Sequence, residues 1–234
     1  MIFQFKQFSV KQEQTAMKIG TDSVLLGAWT PLEQPQSILD IGAGTGLLAL
    51  MLAQRSDAMT IDAMEIDESA YIECTENFEA SPWGDRLFCY HASFEEFFTE
   101  MDEPYDLIIS NPPFYPTDYK TPEKARNTAR FSDALPPEQL LEGVNRLLAV
   151  EGKFSVILPY TESESFITLA ATFGLFPQQI THTRGNAQSE LKRSMMLFAR
   201  APQPSYPIDI LTIEKERGVY TEAYKALTKE FYLK

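Results

Sequence analysis

Short apolar runs alternate along the chain with longer segments of helical period. Ser37 to Ile41 is an apolar run that ends in glycines, and Leu47 to Gln54 is apolar on most faces, which predicts a strand, a turn and a tightly packed helix. The alternation continues with strands at Thr60 to Ile66, Arg86 to His91 and Tyr105 to Ser110, and with helices at Glu68 to Ala80 and Ser93 to Met101. Pro136 and Pro137 open a helix running to Val150, with Gly152 as its stop. Beyond it the pattern predicts a strand at Lys153 to Leu158, a helix at Glu162 to Phe173 closed by Gly174, and strands at Gln178 to Arg184 and Met195 to Arg200. An edge strand at 208 to 213 and a helix at 220 to 230 complete the expectation. Strand and helix alternating in this way imply an α/β fold with helices on both faces of the sheet. The strands at 178 and 195 have no helix between them and must pair antiparallel, so the sheet is expected to be seven-stranded, mostly parallel, with one antiparallel strand.

The composition fits one domain preceded by an N-terminal approach segment. Hydrophobic residues are 44% of the 234 and aromatics 12%, ample for one sizeable core. No apolar run approaches the roughly 18 to 20 residues that cross a bilayer, and the N-terminus lacks the apolar stretch and cleavage site of a secretory signal. A cytoplasmic protein without membrane contact is expected. Cys74 and Cys89 are not in a Cys-x-x-Cys pattern, and with only His91 and His182 to join them no metal site is expected.

The net charge of −13 argues at first against an anionic partner. Its distribution changes that, because residues 62 to 106 hold fourteen acids against Arg86 alone, leaving the rest of the chain balanced. Residues 120 to 130 carry Lys120, Lys124, Arg126 and Arg130 against Glu123, and residues 184 to 200 carry Arg184, Lys192, Arg193 and Arg200 against Glu190. Runs of this kind are often merely solvated surface.

Asp40-Ile41-Gly42-Ala43-Gly44-Thr45-Gly46 lies between the first strand and its helix, where ligands meet the carboxyl edge of an α/β sheet. Gly42, Gly44 and Gly46 let the backbone turn sharply and approach a ligand. The spacing is G-x-G-x-G, not the G-x-G-x-x-G of dinucleotide sites. Asp40 would repel a pyrophosphate but suits an amino acid's ammonium, so the loop favours S-adenosylmethionine over a nicotinamide. Glu65, some 20 residues on, ends the second strand and is placed to accept from ribose hydroxyls, with Ile66 against the adenine. Asp67 starts the next helix as its cap. Ser93 ends the third strand, where either an adenine contact or a helix cap accounts for it.

Asn111-Pro112-Pro113-Phe114 follows a fully apolar strand. Two prolines stiffen the turn and leave carbonyls free. An amine conjugated to an aromatic ring is a poor nucleophile; the Asn111 side-chain oxygen and the Pro112 carbonyl can accept its two hydrogens and aim the lone pair at a methyl sulfonium. Phe114 offers a stacking face and Tyr115 a second. Because the ammonium product is acidic, positioning supplies most of the catalysis.

The loop at 40 to 46, Glu65 and Asn111-Pro112-Pro113-Phe114 resemble the class I S-adenosylmethionine-dependent methyltransferases acting on planar amines, with a Rossmann-like sheet. More narrowly, Lys18-Ile19-Gly20-Thr21-Asp22-Ser23-Val24-Leu25-Leu26-Gly27-Ala28-Trp29, Ser81-Pro82-Trp83, and Asn111 to Tyr115 followed by a basic loop resemble the bacterial tRNA(Val) adenine-37 N6-methyltransferases. The resemblance implies that Gly20, Thr21 and Asp22 close over the methionine end of the cofactor, with Asn111 beside it. It also implies that Pro113, Tyr115, Lys120, Lys124, Arg126, Arg130 and the N-terminal segment meet tRNA. Residues 1–30 would then be a covering segment, 31–200 the catalytic core and 201–234 an extension, with no obligatory protein partner. The chain departs from the family in carrying Ser93 where an acid often binds the adenine.

Other readings stay open at this level. The same chemistry could act on ribosomal RNA guanine or on a protein glutamine, although Tyr is usual at position 114 in the glutamine class. A silent cofactor-binding module is disfavoured by intact Asn111 and Pro112, and a nicotinamide oxidoreductase by Asp40 and the glycine spacing.

Overall fold

The computed structural model describes residues 1–15, 18–113 and 135–233. The N-terminal part forms a hairpin of β1 (Ile2–Gln4) and β2 (Ser9–Lys11), followed by α1 (Thr21–Trp29). Next come β3 (Ser37–Ile41), α2 (Leu47–Arg55), β4 (Thr60–Glu65), α3 (Glu68–Glu79), β5 (Leu87–His91), α4 (Phe94–Glu100) and β6 (Tyr105–Ser110). The second half contains α5 (Pro137–Leu147), β7 (Leu148–Pro159), a 3-10 turn at Tyr160–Glu162, α6 (Ser163–Thr172), β8 (Phe176–Arg184) and β9 (Arg193–Ala199). It ends with β10 (Ile208–Thr212), a hairpin of β11 (Glu214–Glu216) and β12 (Val219–Tyr220), and α7 (Glu222–Thr228).

The main sheet has the order β10-β8-β9-β7-β6-β3-β4-β5, with every pairing parallel except the two made by β9. This is the expected α/β sheet with its one reversed strand, widened to eight by the edge strand β10. The chain winds outward from β3 to β4 and β5 on one side and to β6 and β7 on the other. The β3/β6 boundary is therefore the switch point, where a cleft opens at the carboxyl edge.

The sheet is buried on both faces, which explains why its central strands are apolar runs and not alternating ones. Ile38, Ile61, Ala63, Leu107 and Ile109 point to the face covered by α1, α2, α3 and α7. Leu39, Ile41, Ile108, Phe154 and Val156 point to the face covered by α4, α5 and α6. Cys74 is buried, and both it and Cys89 are free thiols.

One boundary departs from expectation. The helix expected to reach Val150 ends at Leu147, and β7 begins at Leu148, ahead of Gly152. Arg200, at the end of β9, donates to the Asn145 side chain and to the carbonyls of Asn145 and Leu148, satisfying the last turn of α5 from a distant part of the chain. Gly152 lies inside β7 at an irregularity of the β6/β7 register, and a Cβ there would stand 2.9 Å from the Tyr105 carbonyl oxygen. It serves close strand packing, not helix termination.

The two hairpins are further additions. Phe5, just after β1, forms an antiparallel bridge with Tyr232, and Lys6 N donates to Phe231 O at 2.9 Å. Phe5, Phe8 and Phe231 are buried in the same core as α1 and α2.

Candidate active site

Two motifs separated by 71 residues in sequence leave the sheet side by side. Ile41 and Ser110 are direct partners across the β3/β6 pair, and Ser110 Oγ donates to Ile41 O at 2.9 Å. The next residues are Gly42 on one strand and Asn111 on the other. The sheet register therefore fixes the contact between glycine loop and Asn-Pro-Pro turn.

The glycine loop is held by the end of β4. Gly42 N and Ala43 N both donate to Met64 O at 3.0 Å, and Gly44 N donates to Glu65 Oε2 at 2.8 Å. All three loop glycines have positive φ, yet they serve two purposes. A Cβ on Gly46 would fall 2.5 Å from the Phe78 ring and 2.8 Å from Cys74 Sγ, so this glycine lets α3 pack against the start of α2. A Cβ on Gly42 or Gly20 would meet nothing within 4 Å, and one on Gly44 would meet only Thr15 at 3.9 Å. These three border open space of the kind a ligand fills.

Asp40 lies beneath the loop and is fully buried. One carboxylate oxygen accepts from Ala49 N at 3.2 Å in the first turn of α2, whose cap residue Gly46 has no side chain to offer. The other oxygen is buried without a partner. Burial pushes the carboxyl up to about 7, opposed by the Ala49 N–H and aided by the charge of Glu65. Asp40 thus braces the loop from below, and only its unpartnered oxygen is left to serve a ligand.

Glu65 is almost buried, and besides Gly44 N it accepts from Asp67 N at 2.9 Å through Oε1. Each of its oxygens keeps a lone pair for a hydroxyl. The Ile66 side chain is 44% exposed while its carbonyl is tied to His91 Nε2 at 3.0 Å, leaving an apolar surface at the cleft. Asp67 caps α3 by accepting from Ala70 N. Ser93 forms a capping box with Glu96: its hydroxyl accepts from Glu96 N at 3.2 Å and donates to Glu96 Oε2 at 2.7 Å. Of the two explanations the sequence offers for Ser93, the cap is the one visible here.

Asn111 Nδ2 donates to Ser23 Oγ at 2.9 Å, while Oδ1 is buried with no partner among the described residues. An orphaned acceptor of this kind costs about 1 to 3 kcal/mol, which a ligand donor would recover. Pro112 is buried and Pro113 exposed. Phe114, Tyr115, Lys120, Lys124, Arg126 and Arg130 lie outside the described residues.

Gly20 and Thr21 stand at the start of α1, and Asp22 Oδ2 accepts from Arg193 Nε at 2.7 Å, joining that turn to the start of β9. In the second basic stretch Arg184 donates to Thr212 Oγ1 and Ala187 O, and Arg200 caps α5, so these guanidinium groups are built into the fold. Most of the acidic stretch forms β4, α3, β5 and α4, on one side of β3, with Asp106 entering β6 on the other; Arg184, Lys192 and Arg193 lie on that other side too.

Three residues of this architecture escape sequence reasoning. Glu73 of α3 is fully buried and accepts from the backbone N–H groups of Glu13, Gln14 and Thr15 and from the Thr15 hydroxyl. Burial alone would raise its carboxyl, but these donors outweigh it and hold it down at about 2. Lys18 Nζ gathers the carbonyls of Gln12, Glu13 and Thr15 from the other side. One turn along α3, Asn77 accepts from Lys11 N and donates to Lys11 O. Glu73 and Asn77, at helical spacing on a chain of many acids and amides, carry no local mark of this role.

The open cradle at Gly20, Gly42 and Gly44, the paired acceptors of Glu65 and the orphaned Asn111 oxygen fit S-adenosylmethionine beside an amine substrate.

Comparison with known proteins points the same way. Residues 15–172 match the model of the methyltransferase small domain. Over all 234 residues the chain is 59% identical to a protein of Flavobacterium psychrophilum and 57% identical to one of Flavobacterium johnsoniae, covering 100% of each partner. A Trichodesmium erythraeum protein is 42% identical, with 99% of this chain and 98% of that one covered. All three are named tRNA1(Val) (adenine(37)-N6)-methyltransferase. Among solved structures, a methyltransferase from Pyrococcus furiosus superposes with a TM-score of 0.61 at 18% identity, over 83% of this chain and 89% of that one. An Agrobacterium tumefaciens protein described as a predicted O-methyltransferase gives 0.66 at 17%, over 90% and 96%; at such identities the likeness is one of fold. A methyltransferase small domain over two thirds of the chain and full-length identity above one half place this chain in the family of tRNA1(Val) (adenine(37)-N6)-methyltransferases.

Proposed function

We propose that this protein transfers a methyl group from S-adenosylmethionine to the exocyclic N6 amine of adenine-37 in the anticodon loop of tRNA(Val). The observation that carries the reading in the site itself is the buried, unpartnered Oδ1 of Asn111 next to the glycine loop. It is an acceptor waiting for a donor, and an adenine amine brings two.

In this reading Asn111 Oδ1 and the Pro112 carbonyl each accept one amine hydrogen, drawing the nitrogen out of conjugation and orienting its lone pair. Phe114 stacks on the base, with Pro113 and Tyr115 beside it. When bound, S-adenosylmethionine supplies an electrophilic methyl group on a sulfonium. Glu65 accepts from the ribose hydroxyls, Ile66 packs on the adenine of the cofactor, and the turn Gly20-Thr21-Asp22 borders the methionine end. The Asp40 carboxylate oxygen without a partner offers an acceptor beneath the loop to an ammonium reaching it. Once methylated, the amine is strongly acidic and its proton passes to water, so the residues named need only hold and aim. Loop bases are poorly stacked, which makes turning adenine-37 outward inexpensive.

Lys120, Lys124, Arg126 and Arg130 serve the tRNA backbone in this proposal, residues 1–30 cover the site, and residues 31–200 form the catalytic core, followed by an extension. Among the described residues no helix is long and apolar enough to cross a membrane. A cytoplasmic enzyme working without a metal or an obligatory protein partner completes the proposal.

The test is transfer of labelled methyl from S-adenosylmethionine to unmodified bulk tRNA, followed by nucleoside analysis and mapping. Label in N6-methyladenosine at position 37 of tRNA(Val) is expected. Absence of label in tRNA despite measurable cofactor binding would redirect the search to ribosomal RNA and protein.

A further inference from the structure

We infer that Ser23 is a positioning residue which presents the carbonyl end of the Asn111 amide to the substrate amine. The inference rests on the role given to Asn111 above.

Ser23 sits in the first turn of α1, 88 residues from Asn111 in sequence, and its Oγ accepts from Asn111 Nδ2 at 2.9 Å. The turn that carries it is fixed. On its outer side Asp22 is paired with Arg193 at 2.7 Å, and behind it Val24, Leu25 and Leu26 are buried in the core. Ser23 is therefore held on a rigid element and not on a loose covering strand.

The two ends of a carboxamide have nearly the same shape and opposite hydrogen-bonding sense. A half-turn of the Asn111 amide would put Nδ2 where Oδ1 now stands, and its hydrogens would face those of the substrate amine, donor against donor. With Nδ2 engaged by Ser23, Oδ1 is the end left unpartnered among the described residues. A serine hydroxyl can serve either end of an amide, so what Ser23 fixes is the plane of the group, and the two hydrogens of the substrate amine select the acceptor. Asp22 and Ser23 together also tie α1 to two strands, β9 and β6, that flank β7. The segment bordering the cofactor and the residue that aims the nucleophile are thus joined by one hydrogen bond, and Ser23 acts through Asn111 without touching the reacting atoms.

Ser23→Ala should lower the rate of methyl transfer at saturating cofactor and RNA by about tenfold or more while leaving the dissociation constant for S-adenosylmethionine within about twofold. Ser23→Thr, which keeps the hydroxyl on the same turn, should restore most of the rate. A readout apart from turnover is the binding of an anticodon stem-loop carrying purine in place of the target adenine, with S-adenosylhomocysteine present. The unaltered enzyme should prefer adenine, and Ser23→Ala should lose that preference. Ser23→Ala turning over within twofold of the unaltered enzyme, or Ser23→Thr as slow as Ser23→Ala, overturns the inference. Asn111→Ala measured in parallel separates the two levels: if it is inactive while Ser23→Ala is normal, only the role of Ser23 falls. If Asn111→Ala itself turns over normally, the role of Asn111 falls with it.

Discussion

Asn77 Nδ2 donates to Thr45 O at 2.9 Å, binding helix α3 to the end of the glycine loop, just before α2 begins. The same amide group holds both backbone groups of Lys11, so a single buried side chain fastens β2 and the loop to one helix. Asn77→Ala strands several buried polar groups and is expected to cost about 2 to 4 kcal/mol of stability. It should also weaken cofactor binding by about tenfold, because Lys11 of β2 and Thr45 of the glycine loop lose their common tie. Thermal unfolding and calorimetric titration check the two effects. Unchanged affinity would show that the loop keeps its shape without this tie.

Asn111→Ala removes the orphaned acceptor. Turnover should fall by at least about a thousandfold, with cofactor affinity close to normal. Single-turnover kinetics alongside titration measure both, and near-normal turnover would remove the proposed mechanism.

Glu65→Ala deletes the acceptor of Gly44 N and Asp67 N together with the lone pairs offered to the ribose. The dissociation constant for S-adenosylmethionine should rise by about tenfold to a hundredfold, corresponding to about 1.4 to 2.8 kcal/mol. Turnover at saturation should change much less. An unaltered dissociation constant rejects the ribose role.

The loop glycines should divide into two classes. In Gly46→Ala the new methyl overlaps Phe78 and Cys74, so overpacking of about 1 to 3 kcal/mol adds to the cost of a positive φ. In Gly42→Ala only the backbone cost of about 1 to 2 kcal/mol remains, and the methyl projects into the open cradle. The first variant should lower the melting temperature more; the second should lose more cofactor affinity than stability. Equal profiles would contradict the division.

The strands and the two central motifs were legible because each announces itself locally. The apolar runs Ser37 to Ile41 and Tyr105 to Ser110 sit next to glycines or prolines, which puts both motifs at the carboxyl edge of an α/β sheet, where its ligands bind. The features missed are satisfied by remote partners. The end of α5 is set by Arg200, more than fifty residues on; Glu73 reaches back 58 residues to Thr15, and Ser23 meets Asn111 across 88. The short hairpins lack apolar runs long enough to register, and Ser93 reads equally as ligand contact or cap until Glu96 is seen bonded to it.

The buried carboxyls give opposite responses to pH. Asp40 holds its proton to about 7 in the folded chain but to about 3.8 when unfolded, so the folded state binds more protons between those values. Stability should therefore fall as pH rises through that window, by on the order of 4 kcal/mol from this group, and level off above it. Asp40→Asn should flatten the slope in unfolding experiments without cofactor. Glu73, held at about 2, stabilises the fold above its ordinary value near 4.5, and that contribution is lost as pH falls towards 2. A slope between pH 4 and 7 that persists in Asp40→Asn would assign it elsewhere.

The bridge from Phe5 to Tyr232, with Lys6 N bonded to Phe231 O, imposes an order on biosynthesis. The β1–β2 hairpin leaves the ribosome ahead of the core, yet its aromatic face is completed by residues 224–232, translated more than two hundred residues later. That hairpin leads towards Thr15 and the turn at Gly20, so the segment bordering the cleft gains its full packing only when the C-terminal residues arrive. A nascent chain arrested after β9 would carry every strand of the main sheet except the edge strand β10 and still lack the partners that bury Phe5 and Phe8.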